Sequence, residues 1–223
     1  MENEDQEIQL ESSSHDVMDL SEEEELTAEQ AMTAMDNAWL NEKFAPEILP
    51  HETELVDCML RQIAYMLENV KRLKEDDLRL GLHTLEVERI RFVISSYLRL
   101  RIEKIERYVI HVLSEERKRS AEERYLSPEE FKFAQDYLAS VEKLFKTLAL
   151  QHMPPNFQEF QIDQFTVKPN LHSHVLLRAN KRVEAIIIPG SNDQEVSLEA
   201  GSQYIMQYKA VADLVKSGVV QLI

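Results

Sequence analysis

Glycine is scarce in this chain: Gly81, Gly190, Gly201 and Gly218 are the only four among 223 residues. Their spacing permits neither a phosphate-binding P-loop nor a G-x-G-x-x-G dinucleotide turn, so nucleotide chemistry built on those motifs is excluded. Cysteine is scarcer still. Cys58 stands alone, which rules out an internal disulfide, fits a reducing compartment and leaves the thiol to pack as a small hydrophobe. The first 42 residues contain no Lys or Arg, so neither a secretory n-region nor an Arg-rich transit peptide is expected. Long aliphatic runs are missing too: the longest block, Ile186 to Ile188, is far too short to span a bilayer. A cytosolic or nuclear protein with no membrane association is expected.

Catalytic and metal signatures are equally thin. No HExxH motif is present, and the Glu-x-x-His pairs that a di-iron bundle uses do not occur. His172-x-His174 would share one strand face, but no thiol or further histidine lies near them in sequence, so they read as ordinary strand-entry histidines. Ser, His and Asp occur without a nucleophile elbow. The expectation is a chain with no catalytic residue, no metal and no cofactor.

What the chain does have is acid. The formal charge is −16, yet residues 1 to 30 carry twelve acids, leaving 29 acids against 25 bases in the rest. A body so nearly balanced exerts little pull on phosphate, so strong direct DNA binding by the chain alone is not expected. Residues 1–26 combine acids and serines with isolated aliphatics, too little apolar surface to offset chain entropy, and read as a disordered tail. Within it Val17 and Leu20 are candidates for docking as one face of a short amphipathic helix, and Ser21, followed by four glutamates, is a candidate phosphosite. An acidic chaperone or histone-binding protein would account for this tail.

From Thr27 to about Met153 the hydrophobic period is helical. Thr27 and Gln30 form a capping-box pattern ahead of Met32, Met35 and Trp39, and the first helix should end near Phe44, before the Pro46 and Pro50 turn. A second helix carries Leu55, Met59, Ile63, Met66, Val70 and Leu73 on one face, so the methionines sit at core spacing. The third, about Leu78 to Glu116, has no proline. On a wheel, Ile90, Val93, Ile94, Tyr97, Leu98, Ile105 and Val109 fill an arc roughly 200° wide, about twice what a surface helix needs, so this helix should be covered on two sides. Arg91 and Arg101 fall inside that arc, where each needs a carboxylate partner or an edge facing water. A fourth helix opens at Ser127-Pro128-Glu129-Glu130 and presents Phe131, Ala134, Leu138, Val141, Phe145 and Leu148 on one face. The clusters Lys71-Arg72-Lys74 and Arg117-Lys118-Arg119 are flanked by acids and read as solvated helix surface.

After Pro154-Pro155 the text turns to short β-rich runs: candidate strands at 165–168, 174–178, 185–188, 195–198 and 219–223, with a short helix near Gln203 to Val215. A chain ending in VVQLI has no polar terminus to fray, so Leu222 and Ile223 should be buried. The fold class is therefore mainly α: a helical bundle at 27–153, a linker at 154–164 and a small β-rich domain at 165–223.

Four stretches carry a resemblance: AWLNEKFAPEIL at 38–49, ERIRFVISSYLRLRIEKIER at 88–107, HMPPN at 152–156 and GSQYIMQYKAVADLVKSGVVQLI at 201–223. Together, in this order, they resemble the GINS family, specifically its fourth subunit, with the helical domain preceding the β-rich one. The resemblance implies a non-catalytic scaffold in a heterotetramer with three other GINS subunits. That tetramer would join the minichromosome-maintenance ATPase ring and a cell-division-cycle factor in the replicative DNA helicase. It implies a nuclear protein, chromatin-associated during replication and in part cytoplasmic, with the trimeric replisome hub and DNA polymerases as further partners. Trp39 and Phe44 would be packing anchors, and Pro46 would fix how the first helix meets the second. Arg91, Tyr97, Arg101, Leu222 and Ile223 are the remaining structural or interface candidates.

Overall fold

The computed structural model describes residues 27–73, 77–120, 123–160, 162–187 and 195–223. The expected disorder of residues 1–26, and with it Val17, Leu20 and Ser21, lies outside them.

Four helices come first. In α1 (Ala28–Phe44) Gln30 N donates to Thr27 Oγ1 and Thr27 N to Gln30 Oε1, the reciprocal cap that the sequence predicts. The helix stops where Pro46 forces Ala45 into extended backbone. α2 (Thr53–Val70) and α3 (Leu78–Glu116) follow, then α4 (Pro128–Leu148), whose Ser127 and Glu130 form a second capping box.

α3 is the spine, 39 residues long, or about 58 Å at 1.5 Å per residue. Its first half buries Val87, Ile90, Val93, Ile94 and Tyr97 against Ala31 and Met35 of α1 and Val56, Met59 and Ile63 of α2. Its second half buries Ile105, Val109, Val112 and Leu113 against Ile48, Leu126 and Ala134 of α4. The wide apolar arc is thus covered twice, at different heights. Leu98 lies on its exposed rim. At Tyr108 (φ −121°, ψ 24°) the helix kinks between the two halves of that second contact.

Single 3-10 turns at Leu150–His152 and Pro155–Phe157 and the four-residue α5 (Ile162–Phe165) lead to β1 (His174–Ala179), β2 (Val183–Ile187), β3 (Glu195–Leu198), β4 (Gln203–Gln207), α6 (Tyr208–Lys216) and β5 (Val220–Leu222). β1 runs antiparallel between β4 and β5, and β2 pairs antiparallel with β3 in a second, two-stranded sheet. Along β1 the burial alternates: Val175, Leu177 and Ala179 face the core while His174, Leu176 and Arg178 face out. α6 ends in a Schellman motif, with Val219 N donating to Leu214 O and Gly218 N to Val215 O. Gly218 takes φ 71°, a conformation that glycine adopts without Cβ strain.

Four expectations need correction. Residues 165–168 are no strand: Phe165 closes α5, where its ring stacks on Phe160 at 4.7 Å. Gln203–Gln207 is β4 rather than the start of a helix, because Tyr204 and Met206 alternate inward and pair with β1. The apolar face of α4 is only partly covered; Ala134 is buried, whereas Phe145, although its ring meets those of Phe160 and Phe165, and Leu148 beyond it stay exposed. Finally, Leu222 is fully buried but Ile223 only half so, since its side chain lies past the end of β5.

Candidate functional site

The segment joining α1 to α2 is where the two halves of the molecule meet. Residues 45–49 divide their side chains between two cores: Ala45 and Leu49 pack with the β-rich domain, while Ile48 packs with α3 and α4. Such a short segment can serve both sides because the chain bends at Pro46 and Glu47, so that the side chains on either side of the bend point in different directions.

Beneath this turn lies a buried charge cluster. Arg101 is 0% exposed, yet all five of its guanidinium N–H groups find acceptors: Nε on Glu130 Oε1 (2.7 Å), Nη1 on Glu42 Oε2 (3.3 Å) and Leu49 O (2.8 Å), and Nη2 on Glu130 Oε2 (2.8 Å) and Tyr125 O (2.8 Å). Burial opposes its charge, but the Glu130 hydrogen bonds, with Tyr97 and Glu42, hold its pKa above the ordinary arginine value. Glu42, itself buried, also accepts from Leu49 N and from Lys104 Nζ at 2.7 Å, and Lys104 reaches on to Glu47 O. Burial draws the Lys104 ammonium below the usual lysine value against the pull of Glu42. One arginine thereby ties α3 to the end of α1, the turn, and the start of α4.

Glu47 carries the linkage across to the C-terminal domain. Its Oε1 accepts from Tyr208 Oη (3.0 Å) and pairs with Lys216 Nζ (2.8 Å), both on α6. Burial and the neighbouring Glu47 raise the Tyr208 phenol well above its normal value. On the other side of β5, Asn41 Oδ1 accepts from Leu222 N (2.8 Å) and Asn37 Oδ1 from Gln221 Nε2 (2.6 Å). α1 thus supplies partners that β5, an edge strand, would otherwise lack.

The sequence candidates separate accordingly. Tyr97 is buried beside Arg101, its hydroxyl accepting from Glu52 N, and burial pushes its pKa up to about 12. Trp39 is half-buried, donating through Nε1 to Ser96 Oγ (2.9 Å) and meeting Phe92 edge to face. Pro46 and Leu222 belong to the joint. Phe44 does not pack as an anchor: it is 40% exposed under Lys43, because the chain turns inward one residue later and Ala45 takes the core position. Arg91 lies apart from the cluster, on the exposed side of α3, paired with Glu88. Arg119 is not solvated surface, since it is held between Glu116 and the Tyr125 ring. Glu42, Glu47, Lys104 and Asn41 escaped the sequence reading. The expectation that Arg101 have a carboxylate partner or an edge facing water named neither Glu42 nor Glu130.

Among the described residues two apolar stripes remain largely exposed. Along the outer side of α3, Leu78, Leu82, Leu85 and Phe92 recur at helical spacing, with Leu85 70% exposed. On α4, Leu144 and Leu148 form the second, with Leu148 69% exposed, while Phe145 between them meets the rings of Phe160 and Phe165. Stripes of this kind mark surfaces that bind other chains. His172 and His174 are exposed, and among the described residues no group of three or more metal-ligating side chains occurs and no helix is long and apolar enough to cross a membrane.

Comparison with known proteins gives matches across both halves. Residues 56–149 match the model of the GINS complex protein helical bundle domain, and residues 169–223 match that of the DNA replication complex GINS protein SLD5 C-terminus. The chain is 46% identical over 208 residues to the DNA replication complex GINS protein SLD5 of Bos taurus, covering 91% of this chain and 93% of that protein. The Homo sapiens protein of the same description is 45% identical over the same span, and that of Arabidopsis thaliana 32% identical over 211 residues, 90% of this chain and 94% of the relative.

Proposed function

The chain belongs to the SLD5 family of GINS DNA replication complex proteins, and on that premise we propose that it is the non-catalytic scaffold subunit of a GINS heterotetramer within the replicative DNA helicase. The observation that carries this reading is the pair of exposed apolar stripes on α3 and α4, beside a charge cluster whose polar groups are already engaged within the chain. The stripes offer area for three other GINS subunits. The cluster fixes the angle between the bundle (27–153) and the β-rich domain (165–223), joined by the linker at 154–164.

In this role the chain works in the nucleus, on chromatin during replication, with a cytoplasmic fraction. ATP hydrolysis belongs to the minichromosome-maintenance ring, and this subunit helps hold that ring to the cell-division-cycle factor. The tail, through Val17 and Leu20, docks the trimeric replisome hub and so brings in DNA polymerases, with Ser21 as a site where phosphate would alter that contact. A reconstituted helicase from which this chain is omitted should fail to unwind a forked duplex. Unwinding at an unchanged rate would reject the proposal.

A further inference from the structure

The basic run Arg117-Lys118-Arg119 is followed at once by Ser120, and the helicase reading makes no use of it. Ser120 is exposed in the loop between α3 and α4, as are Arg117 and Lys118. An arginine three residues upstream of a serine and a lysine two upstream are the cations that a basophilic protein kinase reads in an acidic substrate groove. Arg119 faces inward instead. Its Nη1 meets Glu116 Oε1 at 2.5 Å and its guanidinium carbon lies 3.6 Å from the Tyr125 ring centroid.

Tyr125 is a junction. Its backbone N donates to Glu116 Oε1 (3.1 Å), its carbonyl accepts from Arg101 Nη2 (2.8 Å), and the Lys216 ammonium of α6 lies 5.4 Å from its ring centroid. Lys216 is also the partner of Glu47. Glu116 is 2% exposed, and among the described residues its Oε2 has no hydrogen-bond partner. Arg119 is the cation that compensates this buried carboxylate.

We propose that Ser120 is a phosphoacceptor for a basophilic serine kinase, and that its phosphate draws Arg119 away from Glu116 and Tyr125, loosening the seat of α6 on the helical bundle. The Ser120 hydroxyl oxygen attacks the γ-phosphorus of ATP; the bond to the β-phosphate oxygen breaks, ADP departs and the hydroxyl proton passes to solvent. The new group carries about −1.5 to −2 charge and three acceptor oxygens one peptide unit from Arg119, against the single oxygen that Glu116 offers it. Once Arg119 turns outward, Glu116 is a buried charge without a cation, and the segment through Tyr125 opens to hydrate it. The Lys216 contact with Tyr125 opens with that segment.

The test uses the full chain in its assembled complex, with ATP and a kinase that selects arginine at the third upstream position, while a peptide of residues 114–124 verifies that the enzyme is active. The expected result is one phosphate on Ser120, absent in Ser120→Ala and added roughly ten-fold more slowly in Arg117→Ala, the loss of one charge-assisted contact. Hydrogen exchange should then quicken at 125–127 and 213–218, and unmodified Arg119→Gln should give the same pattern. No phosphate on Ser120 while the peptide is labelled overturns the site. Full phosphorylation with unchanged exchange at both segments, where Arg119→Gln does change it, overturns the coupling.

Discussion

Arg101 and Glu130 face each other through two parallel hydrogen bonds, Nε to Oε1 at 2.7 Å and Nη2 to Oε2 at 2.8 Å, although 29 residues separate them in the chain. The same carboxylate closes the cap of α4 by accepting from Ser127 N. Glu130 therefore both starts a helix and fixes that helix to α3.

Removing the arginine is expected to cost more than a surface substitution. Arg101→Met leaves Glu42 and Glu130 without their shared cation in a largely buried site, a loss of about 3 to 5 kcal/mol for a broken buried pair. Arg101→Lys should rescue little, because one ammonium cannot satisfy acceptors arranged for a planar fork. The thermal midpoint of the purified complex checks this, and a Lys variant indistinguishable from wild type would show that the fork geometry is unimportant.

The joint between the domains is expected to depend on Glu47. Glu47→Ala removes the carboxylate that holds Tyr208 and Lys216, each contact being worth about 1.5 to 3 kcal/mol as a hydrogen bond to a charged group. Cleavage between 154 and 173 by a broad protease should accelerate while the helical circular dichroism signal stays constant. An unchanged cleavage rate would mean that the hydrophobic contacts of Ala45 and Leu49 suffice.

His111 gives the fold a pH dependence of defined sign. It is half-buried where α3 meets the turn and the segment before β1, with Glu115 on its own helix, Lys118 just past that helix's end, Glu47 on the turn and Lys168 on that segment as its charged neighbours; burial lowers its pKa from 6.5. In the window just below about pH 6.5 the unfolded chain then binds more protons than the folded one, so stability rises with pH there and is lost as pH falls. His111→Gln should flatten the thermal midpoint between about pH 7 and 5 relative to wild type. A slope equal to that of wild type would assign the dependence to other groups.

Much of this architecture can be read from the chain because it rests on local rules. α3 begins and ends at Leu78 and Glu116, as the long proline-free stretch implies, and both capping boxes form from residues three apart. β4 was hidden because Gln203-Tyr-Ile-Met-Gln suits either period, and what decides it is pairing with Val175 and Leu177 nearly thirty residues away. The joint was hidden for the same reason. Glu42 meets Arg101 across 59 residues and Glu47 meets Tyr208 across 161, and a glutamate near a proline turn looks like any surface acid until its partner is in place. Phe44 and Ala45 show the limit at one-residue scale: the larger side chain suggested the anchor, but the turn geometry gave the core position to the smaller one.

The exposed stripes on α3 and α4 bear on how the chain is used, and native mass spectrometry after co-expression with three other GINS subunits examines that use. The wild-type chain should be recovered in a 1:1:1:1 complex and should self-associate when expressed alone, whereas Leu85→Glu combined with Leu148→Glu should leave it a folded monomer outside the complex. A wild-type chain that is a monodisperse monomer alone and stays one beside the other subunits, or a doubly substituted chain that still enters the tetramer fully, would contradict the scaffold role assigned to these two faces.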